Sequence, residues 1–146
     1  MDTAAVRDAA AFRRVLVLLV AVGMAGLSAE LALLEHYEEW QQLLPLGALG
    51  AGSATLVGML IRPGRASVRL FQVVMAVFVV LGGVGIALHV SGNIEFELEM
   101  EPGLRGATLL WKALTGATPA LAPGALTQTG LLGLLATWRH PALQRA

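Results

Sequence analysis

Cysteine is absent from the chain, so thiolate chemistry, disulfides and palmitoylation are excluded, and a metal would have to be held by imidazole and carboxylate. Those groups are few and unevenly distributed. Glu30 and His89 each interrupt a long apolar run, and an ionisable side chain in such a run is costly enough to point to a role and a partner. Each follows two glycines at the same spacing: Gly23, Gly26 and Glu30 in one run, Gly82, Gly85 and His89 in another. At about 100° per residue each set shares one helix face, and small residues mark where membrane helices approach closely. The reading is that Glu30 and His89 look inward and meet.

Such a pair could lock two helices by a hydrogen bond, join a metal centre, or relay protons or ions. The metal reading recruits further donors, so that Glu30, Glu35, His36, Glu39, His89, Asn93 and Glu95 form the candidate ligand set. Mixed nitrogen and oxygen donors suit Zn, Mn or Fe, which makes a divalent metal the candidate cofactor; the acidic run Glu95, Glu97, Glu99 and Glu101 alone would suit Ca. The spacing selects no particular metal, because neither H-E-x-x-H nor a paired E-x-x-H occurs. No catalytic residue is assigned. Nucleophile motifs are missing, Ser28, Ser53 and Ser91 have no adjacent base, and no glycine-rich stretch has the strand context and lysine of a phosphate loop.

The elements that must position these groups follow from composition. The chain has 146 residues, 56% of them hydrophobic and 14% charged, with a mean hydropathy of +0.71. That is a lipid-embedded composition. The formal net charge is zero and no basic stripe is interleaved with aromatics, so nucleic acid is not an expected partner. Four apolar runs, residues 15–34, 43–61, 70–90 and 120–138, approach the roughly 20 residues that cross a ~30 Å hydrocarbon core. The fold class is therefore all-α integral membrane: one domain, a four-transmembrane-helix bundle, with loops 35–42 and 91–118 on the outer side.

Orientation follows from Lys and Arg, which accumulate on the cytoplasmic side. Arg7, Arg13, Arg14, Arg62, Arg65, Arg69, Arg139 and Arg145 flank the runs on one side, while Glu35, Glu38, Glu39, Glu95, Glu97, Glu99 and Glu101 lie on the other. Both termini are expected in the cytoplasm and the bilayer to be a bacterial cytoplasmic membrane. Leu27-Ser28-Ala29 loosely resembles a signal-peptide cleavage site, but Leu31 to Leu34 prolong the apolar run past it, so the run is read as a span.

Along the chain, SAELALLEHYEEWQQ holds neither Gly nor Pro and predicts that helix one projects about two turns beyond the membrane. Helix two starts near Pro45 and reads as a packing helix, with Gly50, Ala54 and Gly58 at four-residue spacing and Gly47, Ala51 and Thr55 beside them. A tight turn at Arg62-Pro63-Gly64-Arg65 leads into helix three. The shared glycine spacing of helices one and three suggests a parallel duplication, with Glu30 and His89 in equivalent positions. From Ile94 to Glu101 apolar and acidic residues alternate, which predicts an extended extracytoplasmic segment lying on the membrane surface. After Pro102-Gly103, Leu104 to Thr115 reads as a short interfacial helix with Leu104, Ala107, Trp111 and Leu114 on one side; Arg105 and Lys112, on the other, are the expected partners of the glutamates. Helix four begins around Pro119 or Pro123, holds Thr127, Gln128 and Thr129 at mid-depth where they need partners, and is anchored by Trp138, Arg139 and an interfacial His140.

The expected function is non-enzymatic: an interaction or accessory subunit of the lipid bilayer, a homo-oligomer or part of a larger membrane complex. The alternative is a metal-dependent enzyme or ion handler built on the outer carboxylates and histidines. Small-solute transport would demand a continuous polar path from His89 past Thr127 and Gln128 to the cytoplasm.

Overall fold

Long stretches rich in Leu, Val and Ala give three long helices: α1 (Thr3–Leu33), α2 (Leu43–Ile61) and α3 (Arg65–Met100). The computed structural model describes residues 3–116 and 118–144, and Arg145 lies outside them. Three shorter helices follow, α4 (Gly106–Leu114), α5 (Gly124–Ala136) and α6 (Pro141–Gln144), and no strand occurs among the described residues. The three long helices have the length and hydropathy to cross a membrane.

The inner faces meet in one apolar core. Phe71, Met75 and Phe78 of α3 pack with Val20 and Met24 of α1, Leu49, Leu56 and Met59 of α2, and Leu126 of α5. Glycines set how near the backbones come: a Cβ at Gly130 of α5 would stand 2.6 Å from the Met75 carbonyl oxygen, and one at Gly52 of α2 would stand 2.6 Å from the Phe78 ring and 2.9 Å from Met24 Sδ.

Three expectations are corrected. Helix α1 stops at Leu33 and does not project to Gln42. The His36 N–H reaches the Leu31 carbonyl at 2.9 Å and the Glu35 N–H reaches the Ala32 carbonyl at 3.2 Å, the paired bonds of a Schellman ending. Glu35 takes the left-handed position, φ 51°, that glycine usually fills. The chain has to reverse here for α2 to pack back on α1, and that packing outweighs the local helix preference of the sequence. A 3₁₀ turn at Trp40–Gln42 then leads into α2, with Gln42 Oε1 accepting the N–H groups of Glu38 and Glu39 at 2.9 and 3.2 Å.

The segment from Ile94 to Glu101, expected to be extended, is helical up to Met100. Its 36-residue helix is ~54 Å long at 1.5 Å per residue, so it continues well past the apolar run. Between Gly92 and Pro102 every residue tolerates a helix, and a lone strand would leave its backbone groups unpaired. Alternation wraps around a helix instead of lining one side: Phe96 and Met100 are exposed, while Leu98 is half-buried.

The fourth apolar run, expected to be helical over residues 120–138, forms a helix only over the 13 residues of α5, ~20 Å long. Pro119 and Pro123 keep its first turns out of α-helix. The run as a whole still follows α3 closely, from His89 beside Pro119 to Arg65 beside Leu143.

Candidate functional site

Apart from Thr127 and Thr129 at its middle, the polar side chains that join the helices gather toward the two ends of α5. At the acidic end, His89 Nδ1 lies 3.1 Å from the Pro119 carbonyl oxygen. A carbonyl only accepts, so Nδ1 carries the proton and Nε2 is left as an acceptor. One turn further along α3, Asn93 is buried, and its Nδ2 donates to the carbonyls of Ala113 at 2.8 Å and Thr118 at 2.7 Å. Its Oδ1 accepts the Thr118 N–H at 3.2 Å. A Cβ at Gly116 would come within 3.1 Å of Asn93 Cγ, so the turn after α4 lies directly on this amide. Asn93 thus fastens both α4 and the approach to α5 onto α3.

Outside this latch, Lys112 of α4 bridges Glu101 at 2.9 Å and Glu97 at 3.7 Å. On a helix these two glutamates are four residues apart and share a face. The hydrogen bond that Lys112 donates to Glu101, with the added field of Glu97, raises the Lys112 pKa above its ordinary value. α4 itself packs through Leu109 and Ala113; of the apolar side expected for an interfacial helix, Leu104 is buried while Ala107, Trp111 and Leu114 are exposed.

At the basic end, Arg13 Nε of α1 donates to the Ala136 carbonyl at 3.1 Å. Gln72 Nε2 of α3 reaches the Thr137 carbonyl at 3.4 Å and its hydroxyl at 3.3 Å. Carbonyls of the last helical turn have no intrahelical donors, and these side chains supply them. α5 is therefore held at both ends by polar side chains, from α3 at each and from α1 at one. Both basic-end residues were passed over in the sequence; the legible signal was a polar residue just inside an apolar run at Gln72 and a cation just before one at Arg13.

Glu30 and His89 are not brought together. The α1 and α3 backbones meet only through core side chains, because α5 packs closely against both. The glycine faces do mark close approaches, but toward α5: Gly23 faces Thr129, while Gly82 and Gly85 face Thr127 and Pro123. Gly26 has open space around it, and Glu30 is exposed. Among the described residues Glu30 forms no ion pair; the ion pairs there are those of Lys112. Of the remaining candidate ligands, Glu35, Glu39 and Glu95 are exposed, His36 is half-buried, and Asn93 is engaged in its latch. No three His, Asp or Glu side chains among the described residues are grouped to hold a metal ion.

The mid-depth polar cluster divides. Thr127 Oγ1 donates to the Val79 carbonyl of α3 at 3.3 Å and Thr129 Oγ1 to the Ala125 carbonyl of its own helix at 2.8 Å, whereas Gln128 is exposed. Toward the basic end the interior is filled by Phe78, Met75 and Phe71. This apolar layer interrupts the polar path that solute transport would need.

No family model, curated protein or solved structure matches this chain.

Proposed function

We propose that the protein is a non-enzymatic interaction subunit of a lipid bilayer, with four membrane segments and both termini cytoplasmic, which associates with copies of itself or with a larger membrane complex through the outward face of α2. The observation that carries this reading is which side of α2 is used internally. Leu49, Gly52, Leu56 and Met59 fill the core, and Gly47, Gly50, Ala51, Ala54 and Gly58 are left on the exposed side, with open space around the three glycines. Small residues at three- and four-residue spacing let a second helix approach closely enough for van der Waals contact and Cα–H hydrogen bonds. Gln128, exposed on α5 in line with the exposed Leu131 and Leu135, adds a polar group able to hydrogen-bond across helices.

The fourth segment is read as a crossing because Pro119 to Leu143 follows α3 over the length of its apolar part. Basic residues gathered beside Arg13 and Arg65, opposite the glutamates, support the orientation. The test is the oligomeric state of the full chain in mild detergent and in vesicles, by sedimentation and cross-linking. Gly50→Leu and Gly58→Leu should shift it toward monomer without changing helicity. A wild type that is monomeric and captures no membrane partner, or stripe variants that associate unchanged, would overturn the reading.

A metal-binding alternative has one supporting feature, the bare Nε2 of His89, since a metal-binding imidazole commonly donates its other N–H to a carbonyl. Metal analysis of the same samples, with His89→Ala beside wild type, tests it.

A further inference from the structure

Beyond self-association, we propose that the groove between α1 and α2 at the basic end binds one anionic phospholipid, its acyl chain along the helices and its phosphate against Arg13, Arg14 and His140. The groove has a volume of about 720 Å³, and its walls include Val17, Ala21 and Leu56, with the two arginines and His140 at one end. From Arg14 its apolar part extends seven residues along α1 to Ala21, ~10 Å at 1.5 Å per residue. That is about a third of a ~30 Å hydrocarbon core, enough for the part of an acyl chain nearest its headgroup. An apolar trough of this length that ends in cations has the charge and shape of a single phospholipid, and basic pockets between membrane helices are known sites for anionic headgroups.

The cations are available. Among the described residues no carboxylate lies within ion-pair distance of Arg13 or Arg14. Arg13 spends its Nε–H on Ala136, which fixes the guanidinium and leaves its terminal N–H groups to form a fork for phosphate oxygens. His140 Nδ1 accepts the Ala142 N–H at 3.2 Å, so its Nε2 carries the proton and can donate. The inference rests on the membrane reading above but not on association through α2.

The full chain is reconstituted in vesicles of dioleoylphosphatidylcholine alone and in vesicles of equal parts dioleoylphosphatidylcholine and dioleoylphosphatidylglycerol. Flotation tests the membrane reading separately, since failure to float with either vesicle sinks that reading. Retained lipid is then counted by native mass spectrometry after extraction. Phosphatidylglycerol should be retained in preference to phosphatidylcholine. Arg14→Gln, which leaves the Arg13 to Ala136 bond in place, should lower its retention about fivefold. Ala21→Phe, which fills the trough without changing charge, should abolish it in a chain that still floats and keeps its circular dichroism. Equal retention of the two lipids overturns the proposal, and so does undiminished retention by Ala21→Phe, which would indicate surface charge alone. Displacement of the lipid by an equal concentration of inorganic phosphate would identify a free-anion site and overturn it as well.

Discussion

Thr127 of α5 lies on the bare backbone of Gly82 of α3. Its Oγ1 donates to the Val79 carbonyl at 3.3 Å, and a Cβ at Gly82 would stand 2.6 Å from the Thr127 nitrogen and 2.8 Å from the Pro123 oxygen. The obstacles include backbone atoms, which cannot rotate away as the end of a side chain can. The next residue, Gly83, has open space around it. Gly82→Ala should therefore cost about 1–3 kcal/mol through overpacking, while Gly83→Ala should be neutral or stabilising by up to about 1 kcal/mol through helix propensity. Thermal unfolding of the two variants in the same detergent gives the comparison.

Asn93 satisfies two carbonyls and one N–H across a gap that no regular secondary structure spans. Asn93→Ala strands those groups, and leaving buried polar groups unmade costs about 1–3 kcal/mol. The loss should be local. Faster proteolysis or hydrogen exchange over residues 101–118, with α1 and α2 unchanged, is the expected pattern, and uniform protection would contradict the latch.

Glu35 closes α1 at φ 51°. A left-handed conformation costs a residue with a side chain about 1–2 kcal/mol that glycine avoids, part of which glycine loses again through unfolded-state entropy. Glu35→Gly should stabilise by up to about 1 kcal/mol. An unchanged or lower midpoint of unfolding would show that the Glu35 side chain contributes something the ending of the helix does not explain.

His140 gives a pH dependence. Burial, and then the positive field of Arg13, push its pKa below the ordinary 6.5. As pH falls through that ordinary value, the unfolded ring takes up a proton while the folded ring stays neutral, so the unfolded state binds more protons and is favoured. The stability held above the ordinary value is therefore progressively lost on the acid side. Protonation would also remove the Nδ1 acceptor used by Ala142. Midpoints measured from neutral to about pH 5 should decline more steeply for wild type than for His140→Gln, and parallel curves would exclude the linkage.

The core of the fold could be read from sequence because hydrophobicity and helix length are local quantities. Runs at 43–61 and 70–90 correspond to α2 and the apolar part of α3, and Leu104 to Thr115 contains α4. The glycines at 23, 82 and 85 did announce close approach. What they could not announce was the partner, since a missing side chain admits any neighbour of suitable shape. Period two at Ile94 to Glu101 misled for a related reason: alternation indicates a strand only where a second strand exists to pair with it, and here α4 offers Lys112 and the Ala113 carbonyl instead.

The sequence by itself determined a chain dominated by long apolar helices, with basic residues toward one end and acidic residues toward the other, because each of these depends on neighbours along the chain. Only the tertiary structure decided that α5 packs against both α1 and α3, turning Asn93, Gln72 and Arg13 into clamps and leaving Glu30 apart from His89, which bonds Pro119 instead. The physical reason is that the carbonyls at a short helix's ends must find donors across space, and whichever side chains reach them are fixed by packing that no local spacing encodes.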